Sequence, residues 1–451
     1  MTSPFTDAML NNFRHQGDPL ADEVIDAFAT QFDSSIQLLV DKLINMIRMP
    51  VKGEILESIK EYFPEDEEIG NTLEKYFTQA IVVPAWADAE KLSRGAHVFQ
   101  DHIFSSIMIL GCASLPTTYV CQPDTKVLGF TRRLIDDAPK RLVETAQMVT
   151  DVMGEKGLFV QGTKLAGKGV QSVLKIRLIH AAVRHLMLHK EKLASEHNQP
   201  ESNNYLLAYV YDSIQEQCDW AGHIKPNSWN IKTDGVPINN EALAIILLTF
   251  SYTILRGLKK IGVKLTNQNQ EAYIHSWNVV GYLLGVDEKF LTEFTHYEKT
   301  EEIYNQVLNR RRGNSNDGEL LQQALLGAFS ETASRTIPFP LAQLLHVRRV
   351  ARLITSKLIS KESYVALNLK LNFYDHVVRF FVWIGVRLFG WLVNYRFLRI
   401  FSNIVFSRIA KTLWDWRKDY PDKNLKHRKK GHYQPLIIPY TLTKTSYLSD
   451  K

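Results

Sequence analysis

Apolar side chains in this chain recur at intervals of three and four residues, whereas alternation with a period of two, bounded by turn residues, hardly occurs. The first spacing places residues on one face of an α-helix, and the second is typical of a strand with one buried face. One helical stripe lies within residues 22–40 and consists of Val24, Ile25, Phe28, Phe32, Ile36, Leu39 and Val40. The pattern therefore predicts an all-α protein, built as a bundle of many helices.

Capping residues indicate where the strongest predicted helices begin and end. Residues 174–192 have the clearest helical pattern in the sequence. A second predicted helix covers residues 241–261, with Asn239 or Asn240 as its N-cap and Gly262 as its stop. The sequence thus predicts long helices that are broken at glycine and proline.

Composition changes twice along the chain and divides it into three predicted parts. Residues 1–84 form an N-terminal helical extension, residues 85–345 a domain of long helices, and residues 346–451 an amphipathic, basic C-terminal region. Apolar residues make up 45% and charged residues 23% of the 451 residues, close to the globular average. This composition excludes wholesale disorder and a polytopic membrane protein.

The cysteines and the N-terminus carry information about the compartment. Cys112, Cys121 and Cys218 form no C-x-x-C pair, which leaves a disulfide framework, a zinc ribbon and covalent haem c attachment without support. So few cysteines fit a reducing environment. The first residues lack the basic and apolar regions of a secretory signal, so we expect a cytoplasmic protein.

Residues 162–169, GTKLAGKG, nearly match a phosphate-binding loop. The last position is Gly169, so the hydroxyl that would hold Mg²⁺ is missing, and no apolar strand precedes the segment. We interpret it as a flexible connector before a helix. The glycine motif of dinucleotide-binding folds, the hydrolase elbow and the zincin motif do not occur either.

The run KIRLIHAAVRHLML, residues 175–188, carries the most specific pattern. Arg177, His180 and Arg184 are three and four residues apart, so they share one helix face that apolar residues border. A neutral imidazole on such a face can ligate a metal, and flanking arginines can pair with the propionates of a haem. Equally, the histidine can be a core residue and the arginines can form interhelical ion pairs.

Four pieces of the sequence, in order, resemble the family of oxygenases that contains the rubber oxygenases (latex-clearing proteins) and the MpaB oxygenases. Together they cover roughly residues 85–290. They are residues 97–120 (HVFQDHIFSSIMILGCASLPTTYV), 141–149 (RLVETAQMV), 175–184 (KIRLIHAAVR), and 235–263 followed by 271–286.

This resemblance implies an all-α, haem-binding bundle with a non-covalently held haem b and a set of site residues. His180 would be the proximal ligand of the haem iron, with Arg177 and Arg184 near it on the same helix. Arg141 and Thr145 match the distal-side helix of the rubber oxygenases.

Glu144 is the one departure from that pattern, because the rubber oxygenases have a distal lysine beside the threonine. A carboxylate beside a haem can serve as an acid–base group, so Glu144 is the predicted one, with Asp101 and Asp124 as weaker candidates. The implied activity is a dioxygenase-like oxidation or cleavage of an apolar unsaturated substrate by O2, with isoprenoids among the candidates. Alternatives are a non-catalytic haem- or lipid-binding protein and a membrane-surface scaffold without haem.

The C-terminal region predicts a second kind of partner. In residues 373–416, aromatic and aliphatic residues are interrupted by arginines, and no run reaches the length of about 18 uncharged apolar residues that a spanning helix needs. An interfacial helix pair and a hairpin packed on the domain explain this pattern equally well.

Charge along the chain is distributed unevenly. Residues 375–451 contain 15 Lys and Arg against 5 Asp, a net charge of +10, whereas the whole chain carries +6. Part of this excess is the basic run at residues 423–432. An anionic membrane surface, at the inner face of the membrane, is therefore the expected partner. Nucleic acid is not expected, because no reader motif accompanies the charge.

Overall fold

The computed structural model describes residues 4–31, 67–130, 135, 137–189, 229–336 and 346–418. In the first half of the chain the helices are α1 (Asp7–Arg14), α2 (Pro19–Gln31), α3 (Glu67–Ala80), α4 (Ala89–Asp101), α5 (Ile103–Ile109), α6 (Leu115–Thr118), α7 (Gln122–Phe130), α8 (Ala138–Met153) and α9 (Lys168–Leu188). A π-helical turn, Leu110–Ser114, joins α5 to α6, and two short strands, β1 (Phe159–Gln161) and β2 (Lys164–Ala166), lie between α8 and α9.

The described residues of the second half of the chain form helices joined by short connections. Its helices are α10 (Ile231–Asp234), α11 (Asn240–Phe250), α12 (Tyr252–Ile261), α13 (Asn267–Leu283), α14 (Glu288–Leu291), α15 (Tyr297–Arg311), α16 (Asn316–Thr336), α17 (Val347–Leu358), α18 (Lys361–Ala366), α19 (Phe373–Leu392) and α20 (Arg396–Lys418). The all-α fold that the sequence predicts is confirmed. The last residues of the stripe at 22–40, the end of the predicted helix at 174–192, Cys218 and the basic run at 423–432 lie outside the described residues.

The predicted caps around residues 241–261 hold, although the helix between them is interrupted. Asn239 is the N-cap, because its side-chain oxygen accepts from the backbone N–H of Ala242 at 2.9 Å. Gly262 ends α12 in the left-handed conformation, at φ 101°. The interruption is at Ser251, whose hydroxyl donates to the carbonyl of Leu247 at 3.0 Å. Such local side-chain bonding disfavours a regular helix. The single helix predicted at residues 241–261 is therefore observed as two helices, α11 and α12.

Residues 162–169 are predicted to be a flexible connector, but residues 162–166 belong to an antiparallel hairpin that begins at Phe159. Phe159 pairs with Ala166 and Gln161 with Lys164, so the turn has two residues. Its first residue, Gly162, has φ 61°, a conformation that glycine adopts without a steric penalty and that favours tight hairpin turns. The hairpin positions the start of α9, and thereby the His180 helix.

Helix α9 lies inside the bundle. It contacts α2 on one side, α8 on another and α13 on a third. The most extensive helix pair is α4 with α13, where a side chain at Gly95 would place its Cβ 2.2 Å from Oγ of Ser276. One continuous apolar core includes residues of the N-terminal helices, such as Phe5 and Phe28, and residues near the C-terminus, such as Val393.

One helical stretch of the described residues, Asn240–Ile261, is long and apolar enough to cross a membrane, and 83% of its apolar window is buried inside the fold. Two bent helix pairs pass the same test of length and composition when each is taken together, Ala89–Asp101 with Ile103–Thr118 and Phe373–Leu392 with Arg396–Leu413. The burial of α11 and α12 is explained by the protein core, because most of that stretch contacts other helices of the bundle.

Candidate functional site

His180 lies on α9 among buried neighbours. Its Nδ1 is inaccessible to solvent and has no hydrogen-bond partner among the residues that the structure describes. Burial, and next the positive charge of Arg184, lower the pKa of His180 to about 4. The imidazole is therefore neutral at physiological pH, which is the protonation state that a metal ligand requires.

Arg177, one turn before His180, forms a bidentate ion pair with Asp18 at the start of α2. Its Nε donates to Oδ2 of Asp18 at 2.6 Å and its Nη2 donates to Oδ1 at 2.7 Å. The guanidinium also lies 5.8 Å from the ring centre of Tyr76, and both partners of the ion pair are buried. A carbon at Gly285, which has φ 82°, would collide with Asp18, so glycine there leaves room for the pair.

Arg184, one turn after His180, is held in the same way. Its Nη1 donates to Oδ1 of Asp22, while Nε and Nη2 donate to the carbonyls of Pro237 and Ile238 at 3.0 and 3.1 Å. Only 3% of its side-chain surface is exposed. Both arginines thus point into interhelical contacts, which is the second of the two roles that their spacing allowed.

The acids that pair with these arginines were not identified from the sequence. Asp18 and Asp22 are one helical turn apart at the start of α2, and the backbone N–H of Asp18 also donates to Asp22 at 3.0 Å. The sequence did indicate that such acids exist, because two arginines on an apolar helix face need buried acceptors. Sequence spacing could not say which of the many acids supplies them.

Arg141, Glu144 and Thr145 lie together on α8. Nη1 of Arg141 donates to Oε2 of Glu144 at 2.6 Å, and the hydroxyl of Thr145 donates to the carbonyl of Arg141 at 2.9 Å. The side chain of Glu144 is 11% exposed and that of Arg141 is 32% exposed. The structure therefore brings the three predicted distal residues into one small cluster.

The two predicted halves of the site lie on helices that pack against each other, α8 and α9. Nδ1 of His180 forms no hydrogen bond with a described residue of α8.

The two weaker acid–base candidates are engaged elsewhere. Asp124 accepts two hydrogen bonds from Arg311, at 2.6 and 3.1 Å, in the buried core. Asp101 forms an ion pair with Arg399 at 3.3 Å. Glu144 is consequently the carboxylate of the three candidates that lies on a helix adjacent to α9.

Comparisons with known proteins agree on one family. The family model described as "ER-bound oxygenase mpaB/B'/Rubber oxygenase, catalytic domain" matches residues 127–393. The rubber oxygenase of Streptomyces sp. (strain K30) is 22% identical over 261 residues, which are 57% of this chain and 53% of that protein. The alignment therefore spans about half the length of that curated relative.

A solved structure, latex clearing protein LCP in the closed state, has a similar fold. Its TM-score is 0.56 at 17% sequence identity, over 90% of this chain and 91% of that one. At this identity the likeness concerns the arrangement of helices and not the chemistry.

Proposed function

The chain belongs to the family of catalytic domains that the MpaB oxygenases and rubber oxygenases share, and on that premise we propose that it is a haem b-dependent oxygenase. Its substrate in this proposal is an apolar unsaturated molecule, isoprenoids being the first candidates, which it oxidises or cleaves with O2. The observation that carries the proposal is the neutral, partly buried His180, whose Nδ1 is buried and has no partner among the described residues, on a helix that the family match includes.

The residues around His180 fit a haem at the imidazole. A buried ring nitrogen without a partner costs about 1–3 kcal/mol, and a group bound at Nδ1 would offset that cost. The pKa of about 4 keeps the ring available as a ligand over the whole physiological range.

Arg177 and Arg184 fit a different task from the propionate pairing that their spacing allows. Each is already paired with a carboxylate of α2, so neither side chain is open to the propionates of a haem. We assign them the task of fixing α9 against α2, which holds His180 at a constant depth in the bundle. Rigid support of this kind is what positions a metal ligand.

Bound haem would supply the redox chemistry that activates O2 toward a carbon–carbon double bond. The apolar residues that border His180 exclude water from this side of α9. On α8, Glu144 can hold or release a proton at Oε1 while its Oε2 accepts from Arg141. The oxygen of Thr145 can still accept a hydrogen bond from a substrate, because its proton is donated to the carbonyl of Arg141.

Absorption spectroscopy of the purified protein tests the proposal. We expect a Soret band that His180→Ala abolishes and that His189→Ala, on the exposed end of the same helix region, leaves intact. Glu144→Gln should keep the band and lose most of the O2 uptake with isoprenoid substrates. Circular dichroism of each variant reports whether the helices are retained.

Two outcomes would contradict the proposal. Stoichiometric haem in a folded His180→Ala variant would remove the ligand assignment. A red wild-type protein that takes up no O2 with any alkene would instead favour a haem-binding protein without turnover.

A further inference from the structure

Exposed large apolar side chains are concentrated on the last two described helices, α19 and α20. Isolated exposed apolar residues are common on proteins, whereas a contiguous set marks an interaction surface. We name this set the C-terminal apolar face, and it consists of Phe373, Tyr374, Val377, Phe380, Phe381, Ile384, Leu388, Trp391, Tyr395, Phe397, Ile400, Phe401, Ile404 and Val405.

The spacing of these residues shows that the face is continuous along α19. Tyr374, Val377, Phe381, Ile384, Leu388 and Trp391 follow one another at intervals of three and four. At a rise of 1.5 Å per residue, the stripe is about 25 Å long. Phe381 is 66% exposed and Phe397, on α20, is 79% exposed.

The opposite side of the pair is fixed on the body of the protein. The backbone of Gly390 lies so close to α12 that a Cβ there would be 2.1 Å from the carbonyl oxygen of Ile261. Asn394 donates to the carbonyl of Gly262 at 3.0 Å, and Phe389 packs on Phe104 at a ring distance of 5.4 Å. The face is therefore presented outward by a rigid support.

Positive charge borders the face. Arg387, Arg396, Arg408 and Lys411 are exposed, and none forms an ion pair with a residue that the structure describes. Asp375, the acid at the start of α19, is buried and already paired with Arg349 and Arg352. The chain continues past the described residues into the basic run at 423–432.

This charge distribution separates the candidate occupants. A second copy of the chain, related by a two-fold axis, would bring two copies of this basic border into one interface, and like charges there repel one another. An anionic lipid surface complements both the apolar stripe and its basic border, and Trp, Tyr and Arg are the residues that suit the level of the headgroups.

We propose that the C-terminal apolar face lies in one leaflet of a membrane that contains anionic lipids. The pair is bent by 114° and carries Arg379 and Arg387 within α19, so each helix lies in the plane of the interface rather than across the bilayer. The proposal goes beyond the oxygenase function and does not depend on bound haem. It also brings the membrane close to α8, because α20 packs against that helix.

Vesicle flotation of the full chain tests this proposal. We expect the protein to float with vesicles of phosphatidylcholine and phosphatidylglycerol, and less with phosphatidylcholine alone. The double variant Phe381→Glu/Phe397→Glu should lower the affinity by at least about tenfold, since it removes two large side chains from the lipid. Ile231→Glu is the matched control, because Ile231 is 49% exposed on α10 and lies outside the face.

A charge variant, Arg396→Gln/Arg408→Gln, isolates the anionic contribution. It should weaken binding to the anionic vesicles only, and added salt should have the same effect. Unchanged binding of this variant to anionic vesicles would overturn the lipid class that we propose.

Sedimentation and circular dichroism complete the test. A folded double variant that floats as well as the wild type would overturn the proposal, as would a wild type that binds neither vesicle. A further outcome is a wild-type dimer that does not float and that the double variant converts to a monomer. That result would identify the face as an interface between copies, and it would overturn the proposal.

Discussion

The side chain of His180 acquires its properties from burial and from a charge on its own helix, whereas the acids that hold this helix are far away in the sequence. Its imidazole is kept neutral by burial and by the charge of Arg184, and the helix that carries it is held by Asp18 and Asp22. The spacing of Arg177, His180 and Arg184 predicted that they share a face. It could not distinguish ligand-facing arginines from paired ones, because that depends on which acids the fold brings to them.

Removing one partner of a buried ion pair leaves the other charge without compensation. Asp18→Asn should therefore lower the free energy of unfolding by about 3–5 kcal/mol, because Arg177 would remain buried and charged. Glu23→Gln is the matched control on the same helix, since the ion pair of Glu23 with Lys75 is about half exposed and should contribute at most about 1 kcal/mol. Urea unfolding followed by circular dichroism measures both.

Equal destabilisation by the two substitutions would contradict this account of α2. A haem titration of Asp18→Asn adds a second readout, because a displaced α9 should weaken haem binding even in the fraction that stays folded.

At the scale of elements, the helices with the clearest patterns could be placed from the sequence, but their exact limits could not. Asn239 and Gly262 are caps in the structure as in the prediction. The polar, glycine-containing run at residues 310–318, RRRGNSNDG, predicts an exposed loop, but the loop is shorter, since α15 continues to Arg311 and α16 begins at Asn316. Periodicity reports which face is buried, but tertiary contacts decide how far the last turn extends.

The hairpin at residues 159–166 was missed for a related reason. Its strands have three residues each, too few for alternation to be recognised against a helical background. The turn signal at Gly162 was visible in the sequence, and it was interpreted as flexibility.

Two glycines on α19 provide a test of how this helix is seated. Gly390→Ala should destabilise the protein by about 1–3 kcal/mol, because the new methyl group would collide with the carbonyl of Ile261. Gly385→Ala should instead stabilise by up to about 1 kcal/mol, since a Cβ there meets nothing within 4 Å and alanine favours a helix. Thermal unfolding of both variants gives the sign directly.

The same sign of change in both variants would contradict the seating of α19. In that case the C-terminal apolar face would also lose its rigid support.

At the scale of the whole molecule, the core does not stop at the predicted boundary near residue 84. Arg14 of the N-terminal extension donates to Glu241 of α11 at 2.8 Å, and Arg310 and Arg311 of α15 donate to the same carboxylate. The division of the chain at residues 84 and 345 stays a prediction, based on composition. Composition could not reveal that ion pairs in the core, such as Arg14 with Glu241 and Asp18 with Arg177, join the N-terminal extension to the domain that follows it.

The Glu241 cluster predicts how stability depends on pH. Burial alone would raise the pKa of Glu241, but Arg14, Arg311 and Arg310 outweigh it and hold the pKa below its ordinary value of 4.5. Folding therefore favours the ionised form, so this contribution is present above about pH 4.5 and is lost as the pH falls below it. Urea unfolding at several pH values should show a steeper acid loss in the wild type than in Glu241→Gln.

If the stability of Glu241→Gln fell with acid as steeply as that of the wild type, this role of Glu241 would be contradicted. The control is Glu90→Gln, because Glu90 forms an exposed ion pair with Arg94 on α4.

The central claim, that His180 ligates a haem iron, is tested most directly by resonance Raman spectroscopy of the reduced protein. We predict an iron–histidine vibration in the wild type, its loss in His180→Gly, and its return when imidazole is added, with a shift when the imidazole carries ¹⁵N. A wild-type vibration that persists in His180→Gly without imidazole, or reduced protein that contains no haem, would contradict the claim.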